Sequence, residues 1–309
     1  MADKKNIIID CNPGIDDALS LLLAFSAGNI NVKAVTSVFG NVDVDKATEN
    51  IIRLYDLAGK RKCPRTGKGA AESLAGMGYK PRFVHGADGL GNTNLPLPDK
   101  KVEIEDGFEL IRDVLAEGDV DEVVALGPLT NIASILVEEP VLKEKIKQIT
   151  VMGGAVFTSG NATESAEFNF YQDPEAAKVV LNAKVPIKLI SLDATRKILY
   201  SRQTLAKIKK SKSSKLAELV NGMIEFSLDY YKKYLKRDGL YLPDVLAMCA
   251  VIDEQIGEYK NISLDVDIEK ERGKVFDNFD AANTILYLEE IDKNRVMDML
   301  INGLNSYIT

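Results

Sequence analysis

Four polar residues share one short turn near the start of the chain. In "NIIIDCNPGIDDAL", residues 6–19, Asp10 ends an apolar run, Asn12 precedes Pro-Gly, and Asp16 and Asp17 open a second apolar run. Carboxylates crowded into one turn repel one another unless positive charge sits among them. Helix capping accounts for one of these acids, or two. It leaves Asp10, which ends the apolar run and faces the same turn, without a reason. A hard cation held by carboxylate oxygens accounts for the whole group, and calcium or magnesium is the matching class.

Three later stretches carry further chemistry. "LPDVLAM" places Asp244 directly after Pro243, which by itself reads as a Pro-Asp helix start. "GNATESAEFNFYQDPEAA", residues 160–177, sets Asn161, Glu167 and Asn169 among Phe168, Phe170 and Tyr171. Amides and a carboxylate suit the gripping of hydroxyl groups, since together they offer donors and acceptors. "FVHGADGLGNTNLP", residues 83–96, holds the only histidine, His85, among glycine-containing turns that suggest a mobile loop or lid.

These stretches need elements to position them. "NIIID" (6–10), "NVKAVTSV" (31–38), "DEVVAL" (121–126), "IKQITVM" (146–152) and "VPIKLIS" (185–191) read as buried strands rich in Val and Ile. Helical patterns lie between them at 16–27, 45–58, 107–117, 129–138 and 174–183. Such alternation predicts a doubly wound α/β fold with a mostly parallel sheet covered on both faces. Ligands of such sheets bind beyond the carboxyl ends of the strands. The five loops there, "DCNPGIDD", "VFGN", "ALGPLTN", "VMGGAV" and "SLDAT", are therefore expected to converge. Later, residues 201–236 read as helical and Lys-rich. A helix opens in "YLPDVLAMCAVID", 262–268 and 283–289 read as a strand pair, and a last helix covers 291–306.

Composition narrows the partners. The 309 residues are 46% hydrophobic and 28% charged, with a net charge of −7. An acidic balance argues against a nucleic-acid partner. Cys11, Cys63 and Cys249 are odd in number, widely spaced and without a CxxC, which argues against a disulfide framework or a zinc site. No span is long and apolar enough for a membrane, and the N-terminal run is too short for a signal peptide. The expected location is cytoplasmic.

Taken together, these motifs resemble the inosine–uridine-preferring nucleoside hydrolases, which cleave the N-glycosidic bond of ribonucleosides. The resemblance rests on "DCNPGIDDAL", "VFGN", "HGADGLG", "LGPLTNIA", "VMGGA", "GNATESAEFNFYQDPEAA" and Asp244 before a helix, and covers nearly the whole chain. It implies one nucleoside hydrolase domain over 1–309 and a calcium-centred pocket. It implies a ribonucleoside substrate, Ca2+ as cofactor and a homodimer or homotetramer. By the resemblance, calcium is held by Asn12, Asp17, the Leu126 carbonyl and Asp244. Asp16 binds the 2′-hydroxyl, and Asn161, Glu167 and Asn169 hold the other sugar hydroxyls. Asp244 also touches the sugar diol, Asn41 lies near the site, and Met152 lines it.

Two positions depart from the family pattern. The family has Asp where this chain has Asn12, and that Asp is both a calcium ligand and the general base. An amide keeps an oxygen for a cation but cannot take a proton from water. The second departure is Pro243, where many members carry a His that protonates the departing base. His85, Tyr230, Tyr231, Tyr241 and Arg237 lie in the loops expected to cover the base, although the tyrosines and Arg237 also fit a solvated amphipathic helix. The expectation is a nucleoside hydrolase of low activity, with a catalytically silent nucleoside- or ribose-binding protein as the alternative. A metal-dependent phosphohydrolase ranks below both, because the acidic first loop would repel phosphate.

Overall fold

The computed structural model describes residues 4–59, 64–78, 83–99, 101–118, 120–209, 214–278 and 283–307; Cys63 lies outside them. The strands are β1 Lys5–Cys11, β2 Ile30–Ser37, β3 Arg65–Lys68, β4 Ile104–Asp106, β5 Glu122–Ala125, β6 Ile149–Met152, β7 Ile187–Ile190, β8 Gly257–Ile262, β9 Leu264–Asp267, β10 Lys274–Asp277 and β11 Ile285–Ile291. The helices are α1 Ile15–Ser26, α2 Val44–Leu57, α3 Gly107–Glu117, α4 Thr130–Glu138, α5 Phe168–Gln172, α6 Pro174–Leu181, α7 Leu192–Thr195, α8 Arg202–Leu205, α9 Lys215–Tyr230, α10 Pro243–Ile252 and α11 Lys293–Asn305.

Nine strands form one sheet in the order β4-β3-β2-β1-β5-β6-β7-β11-β8. All neighbours are parallel except β11 and β8, which pair antiparallel at one edge. Strands β5, β6 and β7 are buried at every position, as continuous Val and Ile runs demand when helices cover both faces. One face packs Leu19, Leu22, Val220, Leu246 and Leu300 from α1, α9, α10 and α11. The other packs Leu110, Ile132 and Val180 from α3, α4 and α6. The order reverses between β1 and β5, so the loops after these two strands part and leave a crevice there.

The five expected strands and the helices between them are present within a residue or a few of the sequence reading. Two short strands, β4 at the edge and its neighbour β3, escape that reading because three or four residues carry no usable period. The late strand pair is corrected. Residues 285–291 pair with 257–262 and with β7, while 264–267 form a separate hairpin with 274–277. The reason is local. Asp267 accepts the N–H groups of Glu269, Lys270 and Glu271, and Gly273 at φ +80° completes the tight return. The helical run at 201–236 is divided into α8 and α9, and a π-helical turn at Tyr231–Leu235 ends it. The last helix begins at Lys293, where the Asp292 carboxylate caps it.

Candidate active site

The first acidic turn joins β1 to α1 at the crevice. Asp17 closes it: its carboxylate accepts the backbone N–H of Asn12 at 3.2 Å and of Gly14 at 3.1 Å, and Asn41 Nδ2 at 2.9 Å. The close fit depends on two glycines. A Cβ on Gly14 would lie 2.8 Å from both the Asn41 amide and the His85 ring. A Cβ on Gly40, which sits at φ +154°, would lie 2.0 Å from the Asn12 amide. Below the turn, Asp10 accepts Thr36 Oγ1 at 2.5 Å and Asn131 Nδ2 at 2.7 Å through one oxygen. Asp10 therefore braces the turn from beneath.

Asp244 reaches the same place from the first turn of α10, where Pro243 sets the helix start. One carboxylate oxygen each from Asp16, Asp17 and Asp244 lie within 4.8 Å of one another. Burial, and then the negative charge of Asp16, pushes the Asp17 carboxyl up to about 7. Burial first, then Asp16 and Asp17, holds Asp244 well above the usual carboxylate range. Asp16 Oδ1 is buried and accepts no hydrogen bond from the protein. Three carboxylate oxygens converging on one place fit a hard cation, which would relieve their repulsion. The Leu126 carbonyl stands at the end of β5 and accepts Asn169 Nδ2 at 2.8 Å. A carbonyl has a second lone pair, so this bond leaves it one acceptor site.

Asn12 is less free than the sequence suggests. It is buried between a donor and an acceptor. With both satisfied, its amide oxygen accepts Asn41 N–H at 3.1 Å and its Nδ2 donates to Asp17 Oδ1 at 3.1 Å. Turning the oxygen toward a cation beside Asp17 would set Nδ2 against the Asn41 N–H, donor against donor. A carboxylate here would accept the Asn41 N–H with one oxygen but would set the other against Asp17 Oδ1, acceptor against acceptor, an arrangement that a cation between the two acids would relieve.

Above the cluster lies a cavity of about 500 Å³, lined by Asp16, Asn41, His85, Leu126, Met152, Asn161, Glu167, Asn169, Tyr241 and Asp244. Every sequence-predicted site residue is therefore at this cavity except Asn12 and Asp17, which are buried in the turn at its floor. Four of the five strand-end loops converge as expected. The fifth, "SLDAT", stays behind the wall. There Asp193 accepts the N–H groups of Val156 at 2.9 Å and Phe157 at 2.8 Å.

The amide residues have divided duties. Asn169 spends Nδ2 on the carbonyls of Leu126 and Met152, which leaves Oδ1 as its acceptor toward the cavity. Asn161 Oδ1 accepts Phe168 N–H at 2.8 Å, which leaves its NH2 as a donor. Glu167 caps α5: it accepts Asn169 N–H at 2.9 Å, and Phe170 and Gly154 N–H at 3.1 Å each. Burial pushes its carboxyl up, against those three bonds.

Opposite the sugar-sized floor the wall is aromatic. Tyr230, Tyr231 and Leu235 line it together with Tyr241, Phe168 and Phe83. Tyr230 ends α9 and Tyr231 opens the π-helical turn that follows it, and both line this wall. Tyr231 and Tyr241 meet edge to face with centroids 6.4 Å apart, and the Arg237 guanidinium lies 5.3 Å from the Tyr241 ring. The tyrosines are thus pocket wall and not a solvated face. His85 Nδ1 accepts Ile15 N–H at 3.1 Å, which assigns the proton of a neutral ring to Nε2. Burial lowers its pKa, so the ring is an uncharged donor.

The loop carrying His85 is braced and does not hang free. Asp88 accepts the N–H groups of Leu90, Asn92 and Asn94, and Asn50 of α2 donates to the carbonyls of both Asp88 and Pro13. Asn50 so ties the His85 loop to the acidic turn. Sequence reasoning missed it, because an Asn inside a helical pattern carries no signal of its distant partners.

Fold and site define a doubly wound α/β protein with a cation-competent acid cluster under a polar and aromatic pocket. Comparison with known proteins narrows that class. The description "Inosine-uridine preferring nucleoside hydrolase" matches residues 7–298, and the chain belongs to that family. It is 36% identical over 263 residues to probable uridine nucleosidase 2 of Oryza sativa subsp. japonica, covering 83% of this chain and 77% of that protein. Among solved structures, a plant nucleoside hydrolase, the PpNRh1 enzyme, matches with a TM-score of 0.91 at 31% identity, over 98% of this chain and 99% of that one. A purine-preferring ribonucleoside hydrolase from Gardnerella vaginalis also gives a TM-score of 0.91, at 26% identity and the same coverage.

Proposed function

We propose that this chain, acting as one domain over 1–309, is a calcium-dependent hydrolase of the N-glycosidic bond of ribonucleosides whose turnover is held low by Asn12. The observation that carries the reading is the Asp16–Asp17–Asp244 cluster, with Asp17 and Asp244 buried, at the floor of a nucleoside-sized cavity. Asp17, Asp244 and the Leu126 carbonyl would hold the ion, with Asn12 a poor fourth ligand because its oxygen is engaged by Asn41 N–H. Calcium, when bound, supplies Lewis-acid polarisation of water and a fixed charge that orients the ribose diol.

The chain's own groups do the rest. Asp16 accepts the 2′-hydroxyl through its orphaned oxygen. Asn161 donates and Asn169 accepts at the remaining hydroxyls, while Glu167 acts mainly by holding α5 in register, with Met152 against the sugar face. Breaking the C1′–N bond builds positive charge on the ribose, which the surrounding carboxylates stabilise. Tyr231, Tyr241 and Phe168 enclose the base, and the Nε2–H of His85 is a neutral donor near it. Asn12, as an amide, cannot take a proton from water as an Asp at that position would.

The reading is tested by titrating inosine, adenosine and uridine into the calcium-loaded chain while following base release over hours, for the chain as it stands and for Asn12→Asp. Tight binding with slow release, accelerated by the substitution, is expected. Fast release without it would mean that another group serves as base. The alternative, a silent nucleoside-binding protein, gains if Asn12→Asp leaves the rate unchanged. A cytoplasmic homo-oligomer in nucleoside salvage is the setting that fits; among the described residues no helix is long and apolar enough to cross a membrane.

A further inference from the structure

Residues 153–167 run from β6 to α5 without helix or strand, and they deliver Asn161 and Glu167 to the cavity. Loops of that length are either disordered or held for a function. This one is held by a single short segment behind the pocket. Asp193, in α7, accepts the N–H groups of Val156 and Phe157. Arg196, just after α7, donates to Thr158 Oγ1 at 3.0 Å, to the Ser159 carbonyl and to the Gly160 carbonyl at 2.9 Å. Five successive residues, 156 to 160, are therefore gripped by two side chains one turn apart. The next residue is Asn161.

Beyond Asn161 the loop closes on itself. The N–H groups of Asn161, Ala162 and Thr163 converge on the Ala166 carbonyl, and Ala166 bridges to Lys274 of β10. The same segment also carries the opposite wall. Tyr200 and Leu240 exchange two backbone hydrogen bonds, 2.8 and 2.9 Å, beside the cavity-lining Tyr241.

We infer that Arg196, with Asp193, is a positioning residue that sets the Asn161 amide against the ribose. The inference rests on the sugar-binding role proposed above for Asn161. A guanidinium suits the task because its planar fork reaches two carbonyls and a hydroxyl at once, whereas an ammonium is a single point of charge. A buried apolar side chain could pack the loop but would not fix the direction of its peptide groups.

The test is a double-substitution cycle on the full, calcium-loaded chain, read as the Kd for uridine and inosine by titration calorimetry. Arg196→Ala should weaken nucleoside binding about tenfold, the loss expected for charge-assisted bonds that orient one ligand contact. Arg196→Lys should recover part of it. Asn161→Ala should weaken binding by a similar factor, and the double variant should be no weaker than Asn161→Ala alone. For Arg196→Ala and Arg196→Lys, calcium affinity and the rate constant for base release from the bound complex should stay unchanged. Should Arg196→Ala fail to fold, Asp193→Asn takes its place in the cycle, with a smaller effect in the same sense.

Additive losses would overturn the inference, as would a lowered melting temperature with Kd unchanged, because the clamp would then be structural only. If Asn161→Ala weakens binding and Arg196→Ala does not, the clamp alone fails. If Asn161→Ala leaves Kd unchanged, the sugar role of Asn161 and the inference fail together.

Discussion

An amide at position 12 meets two neighbours that ask for different atoms. Asn41 N–H needs an acceptor and Asp17 Oδ1 takes a donor, whereas the proposed cation beside Asp17 would call for a second acceptor there. With calcium bound as proposed, Asn12→Asp supplies both acceptors, adds a group able to take a proton from water, and should raise base release by about two to four powers of ten. The same change should tighten calcium binding in a titration, since affinity follows the charge of the ligand set. An increase in rate with no change in calcium affinity would mean that Asn12 already ligates the ion. Asp17→Ala should abolish calcium binding and activity together; retained affinity would move the site elsewhere. Asp16→Ala should erase discrimination between ribo- and 2′-deoxyribonucleosides, whereas Glu167→Ala and Asn169→Ala weaken binding of both. Equal discrimination in all three variants would contradict the roles given to them.

At the scale of elements, the site depends on loops that are braced from a distance. Gly40→Ala places a methyl group against the Asn12 amide on a backbone that L side chains rarely adopt. It should cost about 1–3 kcal/mol in denaturant unfolding and reduce calcium affinity. Asn50→Ala removes the link between the acidic turn and the His85 loop. It should lower nucleoside affinity more than it lowers the melting temperature, and the reverse ordering would make the link structural only.

The same distance explains what was legible in the sequence. Runs such as "NIIID" and "DEVVAL" announced buried strands, and the strand-end loops announced the pocket, because both signals are local. The acid turn and the 160–177 stretch were recognisable as motifs. Asp193, Arg196, Asn50 and Asn131 were not, since each acts through backbone groups far along the chain. The late hairpin was misread because 262–268 and 283–289 look alike as strands, and only the Asp267 turn decides which partner each takes.

For the molecule as a whole, the buried acids link stability to pH. Burial raises Asp10 and Asp17 to about 7 in the folded protein, against about 4 in an unfolded chain. Between those values the folded state binds more protons, so stability must fall as pH rises. The contribution is fully present below about pH 4 and is lost as pH passes 7. Asp43 and Asp253, held low by their helix-turn N–H groups and lysine or arginine partners, act in the opposite sense but at more acidic pH. The metal-free chain should therefore melt lower at pH 8 than at pH 5.5, and saturating calcium should remove the part of that difference that comes from Asp17. A metal-free melting temperature that rises from pH 5.5 to 8 would contradict the acid cluster as described.

The third carboxylate of that cluster comes from α10, long after the first two have been made. A growing chain that has reached α9 holds Asp16 and Asp17 without Asp244 and without the helix that packs on α1. Such a fragment has neither the full charge to capture a divalent ion nor the closed pocket to hold a nucleoside. With the proposed calcium site, free calcium should favour molecules that contain α10 over shorter ones by mass action. On that reading, the set of carboxylates that would hold the ion is complete only once α10 has joined the fold.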